Sequence, residues 1–451
     1  MKIAFFTLGC KVNQYETQAL KEIFSHRGYE IVEEEDAADI YVVNTCTVTG
    51  LADRKSRQYI RRMKKRNPQS ITAVVGCYAQ TSPEEVQQME EVDIVLGTKD
   101  KSRLPEYLED YIQGGRQQLS NVFPYQDLTD YEETGSITSM DSRTRAYIKV
   151  QEGCNQFCSY CIIPFARGRI RSRSLSEIRR EAESLIEKGF KELVITGINA
   201  ALYGMEPGYE MDEDFGISGI TGIEAVICML NEIPGDFRLR LGSLEPTVIN
   251  AEYVKRLLSY EKLCPHMHLS LQSGSDKILK AMNRHYQSRD YLEIVSVLRE
   301  RDPGYGITTD IIVGFPGEEE EDFQDSVRMV ETVRYAKVHV FPYSKREGTK
   351  AAAMSGQISP PVKKERAASL AEAGEQAAAA FFQGLRGMKR RVLFEEYEEA
   401  LGEIWGYSDN YVRVCCTGCG VEAAKALLNG FAEVELGEPY RDGIKGIAVT
   451  G

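Results

Sequence analysis

The chain has 451 residues, of which 42% are hydrophobic and 27% are charged, a composition that is ordinary for a globular protein of two or three domains. Its net charge of -13 at pH 7 argues against binding nucleic acid by bulk charge, so any such binding requires local basic patches. No apolar run approaches 18 residues and the run from Ile3 to Leu8 is short for a secretory signal, which excludes a membrane helix and favours a cytoplasmic location. Eleven cysteines in such a chain indicate reduced thiols or metal ligands rather than a disulfide framework.

Residues 1–112 alternate short apolar runs with helical patterns, which predicts a doubly wound parallel α/β domain. The predicted strands are IAFFTL, YEIV, DIYVVN, ITAVV and DIVLG, and helices are predicted at 15–27, 50–66, 83–90 and 101–111. Cys10, Cys46 and Cys77 follow the first, third and fourth of these strands. Because loops at the carboxyl ends of parallel strands converge on one crevice, the three thiols are candidate ligands of one cluster. The alternative is that each is a buried core residue.

Residues 113–143 are predicted to form a linker, and a second alternation of strands and helices follows over 144–375. Its six strands, AYIKV, LVITG, FRLRLGS, HMHLSLQ, ITTDIIVG and KVHVFPY, predict a (β/α)6 partial TIM barrel with its chemistry at the C-terminal strand ends. The intervening helices are predicted at 174–188, 219–231, 247–258, 275–282, 288–301 and 318–333. After a helix at 362–383, residues 384–451 predict a small antiparallel β-barrel from short strands with Gly turns.

The stretch GCNQFCSYC after the first barrel strand places Cys154, Cys158 and Cys161 in a C-x3-C-x2-C pattern. Three thiolates cannot supply four ligands to a 4Fe-4S cluster, so a cluster held here keeps one iron open for a substrate or cofactor. A structural zinc site is the alternative, although such sites use four ligands and no second cysteine pair stands nearby.

Basic residues cluster in three places in this acidic protein. The stretch from Arg54 to Arg66 contains no acidic residue, and Arg54, Arg57, Arg61 and Lys65 share one helix face. Two of the runs adjoin cysteine-bearing loops, so phosphate binding is favoured over the alternative of a solvated charged face. The predicted RNA contacts are Arg57, Arg61, Arg167, Arg169, Arg171, Lys389, Arg390 and Arg391.

The order of several motifs is similar to that of the methylthiotransferase family of radical S-adenosylmethionine (SAM) enzymes, over essentially the whole chain. These motifs are TLGCKVNQYE, NTC, VGCYAQ, GCNQFCSYCIIPFARGRIRSR, LSLQSGSDKILKAMNRHY, TTDIIVGFPGE and FPYSKREGT. The resemblance implies an N-terminal cluster domain, a radical SAM barrel and a C-terminal RNA-binding barrel of the TRAM type. It further implies that Cys154, Cys158 and Cys161 hold a SAM-cleaving 4Fe-4S cluster, and that Cys10, Cys46 and Cys77 hold an auxiliary 4Fe-4S cluster.

The resemblance also implies a SAM pocket built from polar groups on strand ends, which suit the amine, carboxylate and ribose diol of SAM. Carried over by position, its residues are Tyr160, Gly197, Asn199, Ser243, Glu245, Gln272 and Asp310. Each of these could instead be a turn or cap residue.

GCKVNQYE and IIPFARGRIRSR resemble the branch that modifies N6-threonylcarbamoyladenosine at position 37 of tRNA, with SAM as radical source and methyl donor. The implied partners are the anticodon stem-loop of tRNA, an electron donor such as flavodoxin or ferredoxin, and a sulfur source, without a membrane or DNA. The alternatives are isopentenyladenosine in tRNA, a ribosomal-protein aspartate, and a non-catalytic iron-sulfur protein that binds RNA or transfers electrons.

Further cysteines and histidines are given the structural role that is most common for their residue type. Cys415, Cys416 and Cys419 are predicted to lie in an inserted, reduced loop, with an extra metal site as the alternative. Cys228 and Cys264 are expected in the core. His266, His268 and His339 lie on predicted barrel strands and are expected to be interior histidines, with proton transfer as the alternative.

Overall fold

The N-terminal unit is a parallel sheet covered on both faces. The computed structural model describes residues 1–135, 137–140, 144–211, 215–217 and 219–448. The strands of this unit are β1 Lys2–Thr7, β2 Glu30–Val32, β3 Ile40–Thr45, β4 Ile71–Gly76, β5 Ile94–Leu96 and β6 Leu119–Asn121. Its helices are α1 Lys11–His26, α2 Gly50–Arg66, α3 Cys77–Thr81, α4 Pro83–Gln87 and α5 Leu104–Gln113.

All pairings in this sheet are parallel, in the order β2-β1-β3-β4-β5-β6. Successive residues of β3 enter separate cores, with Val42 packed on one face and Val43 on the other, because neighbouring side chains of a strand point to opposite sides. The predicted doubly wound α/β fold is therefore confirmed.

The structure differs from the predicted elements at several boundaries. Helix α1 starts at Lys11, directly after Cys10, rather than at residue 15, and the predicted helix 83–90 is the short α4 that follows α3. The segment predicted as a linker supplies strand β6 and buries Leu128 and Ile137. Residues 136 and 141–143 of that segment lie outside the described residues.

The central unit is an open barrel whose strands are parallel except for the short β8, which pairs antiparallel with β7. Its strands are β7 Arg145–Glu152, β8 Arg171–Ser172, β9 Glu192–Gly197, β10 Arg238–Leu241, β11 Ser243–Leu244, β12 His266–Leu269, β13 Gly306–Val313 and β14 Lys337–Pro342. They form two sheets of four strands, β10-β9-β7-β8 and β11-β12-β13-β14, and a bridge between Leu239 and Leu263 joins the two. The pairings β7-β9, β9-β10, β12-β13 and β13-β14 are parallel, as the predicted partial barrel requires.

The helices of this unit lie between the strands and after the last of them. They are α6 Ile163–Arg167, α7 Leu175–Glu187, α8 Ile223–Asn231, α9 Ala251–Leu257, α10 Asp276–Ala281, α11 Ser288–Arg301, α12 Glu320–Val333, α13 Lys350–Ala353 and α14 Pro360–Gly384. Helix α14 packs along β14 and α12 and leads into the C-terminal unit.

The C-terminal unit is a closed five-stranded barrel. Its elements are β15 Lys389–Glu398, β16 Glu403–Ser408, β17 Arg413–Thr417, α15 Val421–Leu427, β18 Phe431–Tyr440 and β19 Gly443–Ala448. The order is β15-β16-β17-β19-β18, and the pair β17-β19 is parallel whereas the other pairs of adjacent strands are antiparallel. The predicted barrel is confirmed, and residues 449–451 lie outside the described residues.

Five cysteines lie outside the two proposed cluster sites, and of these Cys419 lies in the loop after β17, partly buried against the barrel core. Cys415 and Cys416 lie on β17, so the prediction of an inserted loop is wrong for these two residues. Adjacent residues of a strand point to opposite faces, which separates their thiols, and Cys416 joins the core of the barrel. Cys264 is buried and Cys228 packs against the central core, both as expected.

The C-terminal barrel is held against the central strands by buried arginines. Arg238 and Arg240 share the carboxylate of Glu192, at 2.6 and 2.9 Å, and both donate to backbone carbonyls of the C-terminal unit, among them Tyr407 O at 3.0 Å. Asn410 Nδ2 donates to Gly304 O at 2.8 Å from the other side. This docking places Tyr411 and Val412, in the loop between β16 and β17, at a cavity that residues of β10, β12 and β13 also line.

Candidate active site

Three cysteine thiols converge in the loop between β7 and α6. Cys161 N donates to Cys158 O at 2.9 Å, and Cys154 N donates to Gly168 O at 3.0 Å. Gly153 permits this turn, because its φ is +70° and a Cβ there would lie 1.8 Å from Arg169 O. Burial raises the pKa of Cys154 to about 11, and the Cys158 thiol acts in the same direction. Neighbouring buried thiols are costly as free thiolates and are stabilised by a bound cation, so this donor set fits an iron-sulfur cluster.

An arginine distant in sequence contacts this loop. Arg284 Nη1 donates to Cys158 Sγ at 3.3 Å and pairs with Glu245 at 2.8 Å. Asn199 Nδ2 donates to the other oxygen of Glu245 at 2.7 Å. The structure thus brings two of the predicted SAM contacts, Asn199 and Glu245, beside the cysteine loop. Sequence reasoning missed Arg284, because nothing in AMNRHY distinguishes it from a surface arginine.

The other predicted SAM contacts divide between two cavities. Tyr160, Gln272 and Asp310 line a cavity of about 200 Å³ beside the cysteine loop. Gly197 packs on Gln151, where a Cβ would lie 2.9 Å from Gln151 Oε1. Ser243 lines a different, larger cavity. The assignment of these residues to SAM stays a prediction.

The N-terminal cysteines follow three adjacent strands. Cys46 and Cys77 come directly after β3 and β4, and Cys10 lies three residues beyond the end of β1, the neighbour of β3 in the sheet. A Cβ on Gly9 would lie 2.8 Å from Cys46 Cβ, so the two chain segments meet closely. Burial raises the pKa of Cys46 to about 12, and the thiols of Cys77 and Cys10 raise it as well. The predicted convergence is observed, and the role of these thiols as cluster ligands stays a prediction.

Arg167 connects the two cysteine sites from inside the protein. Its side chain is 0% exposed, and its Nε donates to Cys77 Sγ at 3.1 Å. Its Nη1 pairs with Glu16 at 2.5 Å and with Glu152 at 2.6 Å, and Glu152 ends the strand that leads into Cys154. The prediction that Arg167 contacts RNA is therefore wrong, because a guanidinium enclosed by its own chain cannot reach a phosphate.

Two lysines complete a buried network around Arg167. Lys101 pairs with Glu16, and Lys149 lies 2.9 Å from Glu152 and 3.5 Å from Glu16. Burial opposes the ionisation of Glu16, yet the Arg167, Lys101 and Lys149 cations hold its pKa well below the usual range. Three cations therefore face two carboxylates, and the surplus positive charge lies beside the Cys77 thiol.

Two further predicted RNA contacts are also buried. Arg171 donates to the carbonyls of Leu128 at 2.8 Å and Arg169 at 2.9 Å, and its side chain is buried rather than facing solvent. Arg390 is 9% exposed and forms two hydrogen bonds with Asp302, at 2.7 and 2.8 Å. The expectation that Arg171 and Arg390 bind RNA is wrong for the same reason as for Arg167.

The remaining predicted RNA contacts are accessible. Arg57 pairs with Glu85 at 2.9 Å, and Arg61 is 61% exposed with a carboxylate 3.8 Å away. Arg169 is exposed, and Lys389 and Arg391 form exposed ion pairs on β15. Helix α2 also carries exposed cations at Arg54, Lys55 and Lys65. These positions stay predictions of RNA contact.

The larger cavity, of about 530 Å³, lies between the barrel strands and the C-terminal barrel. His268 Nε2 lies 3.1 Å from Asp310 Oδ2, and one ligand atom each of His268, Asp310 and His339 all lie within 4.8 Å of one another. His266 is buried and lies 3.2 Å from Thr308 Oγ1, as expected of an interior histidine. His339 is exposed to the cavity, so that expectation is wrong for this residue.

Comparison with known families matches two parts of the chain. The model described as Uncharacterized protein family UPF0004 matches residues 2–97, and the Radical SAM superfamily model matches residues 148–330. The solved structure of the radical S-adenosylmethionine methyltransferase TsrM from Kitasatospora setae, with cobalamin and a [4Fe-4S] cluster bound, aligns with a TM-score of 0.53. That alignment covers 78% of this chain and 77% of that chain at 16% identity, which shows a shared fold alone.

Curated relatives match almost the whole chain. The chain is 38% identical to Threonylcarbamoyladenosine tRNA methylthiotransferase MtaB of Bacillus subtilis (strain 168), over 98% of this chain and 95% of that protein. It is 40% identical to the protein of the same name from Aquifex aeolicus, over 89% and 95% of the two chains. It is also 36% identical to tRNA-2-methylthio-N(6)-dimethylallyladenosine synthase of Clostridium tetani, over 81% and 79%. No helix of the described residues is long and apolar enough to cross a membrane.

Proposed function

Because this chain belongs to the methylthiotransferase family of radical SAM enzymes, we propose that it acts on N6-threonylcarbamoyladenosine at position 37 of tRNA. The product is 2-methylthio-N6-threonylcarbamoyladenosine. The observation that carries this choice is the 38% identity to the Bacillus subtilis enzyme over 98% of the chain. The C-terminal barrel and both cysteine sites lie within that match.

The enzyme uses SAM and iron-sulfur clusters, and both cysteine sites fit such clusters because each gathers three thiols beside a buried cation. When bound, these cofactors would supply the radical, which removes the C2 hydrogen, and the methyl group, and the auxiliary cluster would take part in sulfur delivery. Glu245 is the acid that faces the Cys154 site, and Asn199 and Arg284 fix its two oxygens. A carboxylate fixed in this way would be available to orient the amine of SAM.

The protein also prepares the auxiliary site. Cys46 and Cys77 are buried, whereas Cys10 is exposed at the start of α1, so the triad opens on one side only. Arg167 donates to Cys77 Sγ and lowers the cost of a thiolate in this dry environment. A partly enclosed site of this kind excludes water from a sulfur-transfer reaction.

The proposed tRNA surface combines exposed cations of α2 with Arg169, Lys389 and Arg391. Such contacts neutralise phosphates of the anticodon stem-loop and make binding sensitive to salt. The reaction further requires an electron donor, such as flavodoxin or ferredoxin, and a sulfur source. We expect the enzyme to work in the cytoplasm, where its tRNA is found.

The proposal is tested with purified, reconstituted enzyme and tRNA that carries either modified adenosine. Wild type is expected to methylthiolate threonylcarbamoyladenosine in preference to dimethylallyladenosine, as measured by nucleoside mass spectrometry. The reverse preference, which would agree with the name of the Clostridium tetani relative, would leave the proposed chemistry standing and overturn the substrate assignment. If protein with both iron-sulfur clusters reconstituted releases no 5'-deoxyadenosine from SAM, the proposal that the chain is an enzyme is overturned.

Variants at the two sites separate their roles. We expect Cys158→Ala to abolish SAM cleavage, because it removes one of only three ligands. We expect Cys10→Ala to keep SAM cleavage and lose the methylthio product. Cys228→Ala removes a half-buried thiol outside both sites and is the matched control, with both activities retained.

A further inference from the structure

The larger cavity is lined by two lysines. Lys11 and Lys337 both line it, and neither side chain forms an ion pair or hydrogen bond within the described part of the chain. Both carboxylates of the lining make their closest polar contacts with side chains other than these lysines. Asp310 lies 3.1 Å from His268, and Asp442 lies 2.9 Å from Arg413. Four cationic side chains and two carboxylates line the cavity, so it offers positive charge to a ligand.

The arginines of the lining do not compete for that ligand. Arg240 is held by Glu192, at 2.9 Å, and Arg413 by Asp442. The protein has a net charge of -13, yet the arginines of this lining are already paired. A ligand with a negative charge would therefore stabilise the lysine ammonium groups most.

Aromatic rings form one wall of the same cavity. Tyr407 and Tyr411 stack with ring centroids 5.1 Å apart, and the guanidinium of Arg240 lies 4.3 Å from the Tyr411 ring. Tyr411 has a φ of +65°, a conformation that L residues rarely adopt. Because Asn410 binds Gly304 O, the docking of the C-terminal barrel holds this strained residue in place. Such a wall can stack on a flat aromatic base.

The position of the cavity ties it to both cysteine sites. Lys11 follows Cys10 directly at the start of α1. Asp310 and Phe341 line this cavity and also the smaller one that contains Tyr160, so the two cavities adjoin.

We infer that this cavity binds the N6 substituent of the target adenosine, with the carboxylate of the threonylcarbamoyl group on Lys11 and, secondarily, on Lys337. This inference rests on the proposed function and names the residues that select its substrate. A threonylcarbamoyl group brings a carboxylate, urea N–H groups and a hydroxyl, which suit the ammonium groups and the imidazoles of His268 and His339. A dimethylallyl group is apolar and would leave Lys11 desolvated without a partner, which disfavours its binding.

The experiment compares two anticodon stem-loop RNAs, one with threonylcarbamoyladenosine and one in which its carboxylate is replaced by a primary amide. Equilibrium dissociation constants and kcat/KM are measured for wild type, Lys11→Met, Lys11→Arg, Lys337→Met and the control Lys188→Met, which removes an exposed lysine outside the cavity. Iron content is measured for each, so that equally loaded proteins are compared. Wild type and Lys188→Met should prefer the acid by about 10- to 100-fold, the usual range for a charged hydrogen bond.

Lys11→Met should bind the two RNAs about equally, Lys11→Arg should recover part of the preference, and Lys337→Met should lose a smaller part. A wild type without acid preference, or a Lys11→Met variant that keeps it, would overturn the inference and leave the proposed function standing. If wild type fails to convert the threonylcarbamoyl RNA at all, the proposed function has failed instead. Should Lys11→Met not fold, Lys337→Met and the wild-type comparison still decide the matter.

Discussion

The substitution Arg167→Met tests the buried network between the two cysteine sites. It removes hydrogen bonds to Glu16 at 2.5 Å, to Glu152 at 2.6 Å and to Cys77 Sγ at 3.1 Å. Breaking a buried ion pair costs roughly 3–5 kcal/mol. Lys101 and Lys149 continue to neutralise both carboxylates, so we expect the lower end, a loss of about 3 kcal/mol in the free energy of unfolding.

The same substitution removes the surplus positive charge beside Cys77. Without it the network of two lysines and two carboxylates is neutral, so a thiolate at Cys77 loses its nearest cation. We expect the auxiliary site to lose its cluster and the Cys154 site to keep its own, so iron per chain falls by about half. SAM cleavage should persist while the methylthio product disappears.

The assays are urea unfolding of the metal-free protein, iron analysis after reconstitution, and detection of 5'-deoxyadenosine. Arg169→Met is the control, because it removes an exposed arginine from the same segment and should change the free energy of unfolding by less than about 0.5 kcal/mol. Unchanged stability and full iron content in Arg167→Met would refute the reasoning.

Two more predictions concern the auxiliary site and the RNA surface. Gly9→Ala should lower iron content, because its Cβ would lie 2.8 Å from Cys46 Cβ, whereas Gly28→Ala should not, since it shares a positive φ but has no atom within 4 Å. Full iron in Gly9→Ala would show that the triad tolerates the added methyl group. Lys65→Ala on exposed α2 should weaken tRNA binding and reduce the slope of log K against log salt by roughly 0.7–0.9, as measured by salt titration against Lys188→Ala. An unchanged slope would remove Lys65 from the RNA surface.

The architecture and the positions of the cysteines in it could be predicted from the sequence, because the signals that carry them are local. Alternating apolar runs and helical patterns predicted three units, and all three are observed. The C-x3-C-x2-C loop is a chelating pattern within eight residues, and Cys10, Cys46 and Cys77 are placed by the strands that precede them. Each of these inferences needs only neighbouring residues and the topology of a parallel sheet.

Burial of charge, in contrast, was decided by the tertiary structure alone. The segment RGRIRSR predicts a basic surface, yet Arg167 and Arg171 are buried. Their hydrogen-bond acceptors, Glu16 and Leu128 O, come from distant parts of the chain. Arg284 meets Cys158 across 126 residues. Lys11, whose ammonium forms no ion pair among the described residues, reaches a cavity lined by all three units only through folding. The sequence does not distinguish a solvated charged side chain from one paired in the protein interior, because the residues that surround it are brought together only by folding.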